Sequence, residues 1–215
     1  MKSLLALPLL AFALMAAKSQ PPATPPVPVF SINPPADIAA NPDNRLNLQL
    51  SNGGTVVIQL RPDAAPKSVE RLQTLAKQGF YDGTIFHRVV PGFMAQGGDP
   101  TGTGQGGSQL PNLKAEFNSI PHVRGTVAMA RTDDPDTANS QFYIMFLPNI
   151  SLDKTYTVVG RVISGMDAVD KIAPGEPPPN PTKIVHAWVG TGPAPVTAAP
   201  PAPLPAAQES NAPGS

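Results

Sequence analysis

Cysteine is absent from the 215 residues. That absence excludes a disulfide framework, a thiolate nucleophile, lipid attachment at an N-terminal cysteine and the common zinc sites. Net charge is absent too, because 15 Lys and Arg residues offset 15 Asp and Glu residues. Setting aside Lys2, Lys18, Asp37 and Glu209 leaves 13 of each sign between residues 43 and 190. A neutral body has no electrostatic footprint for a phosphate backbone, which argues against nucleic acid as a partner. Metal-ligand spacing is missing: His87, His122 and His186 are scattered, so no metal is expected. Ser140 lies in "ANSQF", outside any G-x-S-x-G elbow, and gives no support for hydrolase chemistry. Asn149-Ile150-Ser151 is a formal glycosylation sequon, a pattern short enough to arise often by chance.

Long hydrophobic runs are nearly absent. The exception is Ser3 to Ala17, preceded by Lys2 and broken only by Pro8. Fifteen residues are too few to span a bilayer comfortably. A short basic start, an apolar run and small residues at its end predict a secretory signal peptide over 1–17, cut after Ala13 or near Ala17. The mature protein is then expected to be periplasmic or secreted. The alternative is an uncleaved anchor, the one way this chain would meet a membrane.

Proline, by contrast, is abundant, at 29 residues. It crowds 18–42 and 191–215, two Pro/Ala-rich segments with too little apolar surface to offset chain entropy. Both are expected to be disordered or extended polyproline II, as linkers or, less plainly, as ligands in their own right. Between them, 43–190 is patterned as one domain. A domain of roughly 150 residues buries about two-thirds of its surface, enough for one core.

"NLQLSNGGTVVIQL" places Asn52-Gly53-Gly54 between two alternating runs, a hairpin signal. "APKSVERLQTLAKQG" carries Pro66 at a helix start and Gly79 at its end, with Val69, Leu72, Leu75 and Ala76 on one face. Further strands are expected near 84–90, 93–97, 125–130, 141–147, 157–163 and 183–189, with a short helix at 166–172. Many strands and two helices predict a mainly β domain, and a closed barrel is expected, since closure removes sheet edges. Gly102, Gly104 and Gly107 match G-x-G-x-x-G by letter, but no strand-turn-helix setting surrounds them. They are expected to form a flexible loop that lets a ligand approach.

Arg88 is the odd residue. It stands in the apolar run "FHRVVPGFMAQGGD", with no acidic residue until Asp99. A guanidinium keeps its charge and needs a partner. Either it points to solvent, or it faces a cleft where a ligand meets it.

Three segments decide the reading: "GFYDGTIFHRVVPGFMAQGGDPTGTGQGG" (79–107), "GTVAMARTDDPDTANSQFYIMF" (125–146) and "LDKTYTVVGRVISGMDAVDKI" (152–172). Together they resemble a cyclophilin across essentially the whole domain. The resemblance implies a closed eight-stranded antiparallel barrel capped by two α-helices. It implies a peptidyl-prolyl cis-trans isomerase that needs no cofactor, acts on proline-containing peptides and folding proteins, and is a monomer. Arg88 and Gln96 would be the catalytic pair. Phe93, Met94, Tyr143 and Leu152 would hold the proline ring. Ala130, Arg131, Gln141 and Tyr156 would line the adjoining peptide groove, and His87 would be structural. Three departures stand out: Tyr143 where many members carry Phe, Ser151 where many carry Trp, and Tyr156 near a common His. The missing Trp implies weak cyclosporin sensitivity. The other functional reading is a non-catalytic binding or chaperone module using the same groove.

Overall fold

The computed structural model describes residues 26–192. The expected signal peptide over 1–17, the start of the first Pro/Ala-rich segment and residues 193–215 lie outside the described residues.

Eight strands form one antiparallel sheet. β1 (Arg45–Leu50) and β2 (Thr55–Leu60) make the expected hairpin, turning at Gly53 with φ +88°. β3 (Arg88–Val90), β4 (Met94–Gly97), β5 (Thr126–Met129), β6 (Phe142–Met145), β7 (Val158–Ser164) and β8 (Ile184–Val189) complete it. The spatial order is β3-β4-β6-β5-β7-β2-β1-β8. The sheet is curled but open: β3 and β8 are its edges and do not pair with each other. This corrects the expected closed barrel. A short seam joins the two sides, where Gly83 N–H donates to Ile184 C=O (2.7 Å), Ile184 N–H to Thr84 C=O (2.8 Å) and Phe86 N–H to Thr182 C=O (3.0 Å). Pro177, Pro178, Pro179 and Pro181 precede β8 and lack the N–H groups that a continuous ladder would need. The outer edge of β3 instead exchanges two backbone bonds between Val89 and Gly175.

Helix α1 (Ala36–Ala40) lies inside the segment expected to be disordered. The described part of that segment is tied to the domain body. Phe30 N–H donates to Ser119 Oγ (2.6 Å), Arg61 Nη1 donates to Ser31 C=O (2.9 Å), and Asn44 and Gln59 both donate to Ile38 C=O. The ordered unit therefore begins well before residue 43. Helix α2 (Pro66–Lys77) buries Val69, Leu72, Leu75 and Ala76 as its spacing predicts and packs on β8. Gly79 follows it with φ +70° and donates to Ala76 C=O, a left-handed stop suited to glycine. Helix α3 (Met166–Asp170) packs on β2. Among the described residues no helix is long and apolar enough to cross a membrane.

The alternation of side chains sorts four strands between two clusters. On one face Val89, Ala95, Val127, Met129, Phe142 and Ile144 join the main core. On the other, Met94, Ala128, Tyr143 and Met145 form a smaller cluster. Tyr81, Phe86 and Phe142 centre the main core, with Phe142 edge-on to both neighbours at 5.7 and 6.4 Å. Replacing Phe142 by Ala is expected to destabilise the fold by about 3–5 kcal/mol, measured by urea unfolding; a loss under about 1 kcal/mol would show that this ring does not anchor the core.

Candidate active site

The smaller cluster opens to solvent as a cavity of about 140 Å³. Its floor follows from strand register. Arg88 pairs with Gln96, Gln96 with Tyr143, and Tyr143 with Ala128, so one row crosses β3, β4, β6 and β5. Arg88, Gln96 and Tyr143 from that row line the cavity, with Phe93, Met94, Ala130, Arg131, Leu152 and Tyr156 around them. Nine of the ten residues singled out in the sequence thus surround one hollow. Gln141, the tenth, lines an adjoining cavity of about 360 Å³ shared with Gln96, Ala130, Arg131 and the glycine-rich loop.

Arg88 sits at the rim, 42% exposed, with its guanidinium carbon 6.0 Å from the centre of the Phe93 ring. It has a carboxylate partner that its own strand gave no hint of. Nε lies 3.4 Å from Glu176 Oε2 on the strip beside β3. Both side chains are open to solvent and the contact is long, so it neutralises little. Neither Nη group donates to a protein group among the described residues. Gln96 stands opposite Arg88 but does not orient it by a hydrogen bond: its amide donates to Gln141 Oε1 (2.8 Å). Gln141 in turn donates to Gly104 C=O (3.0 Å) and Gly106 C=O (2.8 Å). The two glutamines therefore tie the cavity floor to the glycine-rich loop.

That loop is built rather than loose, contrary to expectation. Asp99 is fully buried and accepts from Thr101 N–H (2.7 Å), Thr101 Oγ (2.8 Å), Gly104 N–H (2.6 Å) and Gly106 N–H (3.1 Å). Burial opposes ionisation of this carboxyl, but these four donors outweigh it and hold the group below the usual carboxylate range. Gly102 and Gly104 take φ +68° and +84°, and a Cβ at Gly106 would overlap the Asp99 carboxylate.

Arg131 folds back over the Tyr156 ring at 4.5 Å and donates to the carbonyls of Thr132, Asp133 and Thr155. It thereby clamps two loops on the far side of the hollow. Its own backbone N–H and C=O find no protein partner among the described residues. Leu152 closes a 3₁₀ turn (Ile150–Leu152) in which the Asn149 side chain accepts the Ser151 N–H. Ser151 is exposed on that turn, its hydroxyl turned back to Asn149 (2.7 Å).

One group escaped the sequence reading. His122 is fully buried beneath Tyr143, with Nε2 3.1 Å from the Tyr143 hydroxyl and Nδ1 2.9 Å from Asp153 Oδ1. Its two partners come from separate segments, and spacing alone gave no signal. His87 is buried with both ring nitrogens unpartnered and does not line the hollow, in keeping with a structural position. Burial lowers the pKa of both histidines; Arg88 also lowers that of His87, while Asp99 and Asp153 oppose the shifts.

A stability consequence follows with a definite sign. Unfolded, these imidazoles take up protons near pH 6.5; folded, they resist until lower pH. Below about pH 6.5 the unfolded chain binds more protons, so stability falls as pH falls towards the folded pKa values. Urea midpoints should be lower at pH 5.5 than at 7.5, and His87→Asn should shrink the difference. Equal midpoints at the two pH values would contradict this.

Comparison with known proteins fits this geometry. Residues 45–189 match the family model described as cyclophilin type peptidyl-prolyl cis-trans isomerase/CLD. A probable peptidyl-prolyl cis-trans isomerase of Brucella suis is 48% identical over 167 residues, covering 70% of this chain and 85% of that protein. Peptidyl-prolyl cis-trans isomerase B of Bacillus subtilis is 41% identical over 129 residues, covering 59% of this chain and 89% of that protein. Among solved structures, a cyclophilin of Hirschia baltica superposes with a TM-score of 0.64 at 30% identity, covering 68% of this chain and 74% of that one. A Cryptosporidium parvum cyclophilin type isomerase, solved in the presence of the dipeptide Ala-Pro, gives 0.64 at 26%, covering 69% of this chain and 99% of that one.

Proposed function

The chain belongs to the cyclophilin-type peptidyl-prolyl cis-trans isomerase family, and we propose that it accelerates X-Pro rotation in peptides and folding proteins outside the cytoplasm, as a monomer, with Arg88 as its central catalytic group. The observation that carries this reading is the pair of Nη groups, unpartnered among the described residues, at the rim of a hollow walled by Phe93, Met94, Tyr143 and Leu152.

An X-Pro bond resists rotation because its nitrogen shares a lone pair with the carbonyl. The barrier is about 18–20 kcal/mol, and uncatalysed exchange takes roughly tens to hundreds of seconds. Rotation needs no covalent step. At the twisted geometry the nitrogen becomes pyramidal and basic, and a guanidinium N–H can donate to it. The planar ground state offers that lone pair far less, so the bond favours the transition state selectively. Bringing exchange to milliseconds requires about 6–8 kcal/mol, at ~1.4 kcal/mol per tenfold. One charged hydrogen bond contributes about 1.5–3 kcal/mol. The rest falls to geometry. Phe93, Met94, Tyr143 and Leu152 would grip the proline ring, and the free backbone groups of Arg131 would hold the chain beside it. Gln96 and Gln141 would line the path of the flanking residues.

The extracytoplasmic assignment rests on Lys2 and the apolar run that follows it. N-terminal sequencing of the mature protein tests it, and an intact Met1 would count against it. For the activity, a coupled assay on an X-Pro peptide is decisive. Arg88→Ala is expected to lower kcat/KM by about 10- to 100-fold, mainly in kcat. An inactive wild type, or a fully active variant, would favour the binding-module reading, which the Glu176 contact on Arg88 also suits. Cyclosporin should inhibit weakly, since exposed Ser151 offers no large apolar wall; inhibition as potent as in Trp-bearing members would refute this.

A further inference from the structure

Beneath the proline pocket lies a polar chain that the isomerase reading does not use: buried Tyr143 and His122, and half-buried Asp153 at its outer end. Asp153 Oδ1 also accepts the backbone N–H of His122 (2.7 Å), so the carboxylate is locked to this residue twice. An ionised carboxylate can only accept, so Nδ1 carries the ring proton. A neutral imidazole then has a lone pair at Nε2, and the Tyr143 hydroxyl donates to it (3.1 Å). Tyr143 is 5% exposed, and its ring forms part of the pocket wall. In this state its one polar hydrogen points away from the pocket, and the hollow sees only the ring.

Protonation of His122 reverses that arrangement. Both ring nitrogens become donors, and the Tyr143 oxygen has to accept. Its hydrogen loses Nε2, and no other acceptor touches it among the described residues. The groups around the chain are few. Asp153 favours the imidazolium, Tyr156 stands edge-on to both His122 (6.4 Å) and Tyr143 (5.8 Å), and Arg131 lies over Tyr156. No second carboxylate approaches among these neighbours. An unpaired donor in the wall would then be buried under the apolar ring of a bound proline, or the tyrosine would turn out of place. Either outcome weakens binding.

We propose that His122 and Asp153 are positioning residues for proline-peptide binding, holding the Tyr143 hydroxyl out of the proline pocket, so that peptide affinity falls when His122 takes up a proton. The proposal rests on the isomerase reading only for the identity of the ligand. Burial depresses the pKa of His122, which sets the transition on the acid side of pH 6.5.

The test is a pH profile of kcat and KM for an X-Pro peptide from pH 5 to 8, with peptide Kd measured by calorimetry in parallel. Wild type should lose about tenfold in affinity on the acid side, carried by KM with kcat unchanged. Tyr143→Phe removes the hydroxyl, so its profile should be flat whatever its absolute activity. Asp153→Asn removes the group that favours the imidazolium and should move the midpoint to lower pH. By linkage, saturating peptide should also lower the pKa read from the His122 ring resonance. A flat wild-type Kd, or a Tyr143→Phe profile with the same acid loss, would overturn the proposal. If wild type binds peptide with the expected pH dependence yet shows no turnover, the isomerase reading fails while the positioning role stands.

Discussion

Four short strands carry two duties at once, and the structure depends on that constraint. β3, β4, β5 and β6 are covered on both faces, so each residue must suit one of two environments. Phe142 and Ile144 belong to the core; Tyr143 and Met145, their neighbours in sequence, belong to the site cluster. A slip of one residue in the register of β6 would exchange them. The row Arg88–Gln96–Tyr143 would also break, because it exists only through pairing across adjacent strands. Core packing therefore fixes the site geometry without any residue dedicated to holding the strands in place.

Around that row the polar groups divide by depth. The deeper ones beside the hollow are partnered: Asp99 by four donors, His122 by Asp153 and Tyr143, and half-buried Gln141 by the loop carbonyls. At the rim they are not, since Arg88 keeps its Nη groups and Arg131 its backbone. Unsatisfied groups are costly in the interior and cheap at the surface. His87 is the exception, buried away from the hollow with both ring nitrogens unpartnered.

Much of this was readable from residues in order. Strand alternation gave all eight strands, and Pro66, Gly79 and an apolar face gave α2. The family resemblance carried by 79–107, 125–146 and 152–172 named the residues that surround the hollow. What could not be read were contacts between segments distant in sequence. Glu176 meets Arg88 across 88 positions, and Asp153 meets His122 across 31. Composition also misjudged the stretch 26–42. Proline content suggested disorder, but a few side chains such as Arg61 and Ser119 suffice to bind its backbone to the domain.

The chain's own order of residues determined which faces would be apolar, where helices would stop and which residue types the site would hold, because periodicity and backbone preference are local properties. Tertiary structure alone decided that the sheet stays open at a proline-rich seam, that Gln96 leans on Gln141 rather than Arg88, and that a buried histidine supports the pocket wall. Those outcomes turn on distances between atoms that only the completed fold brings together.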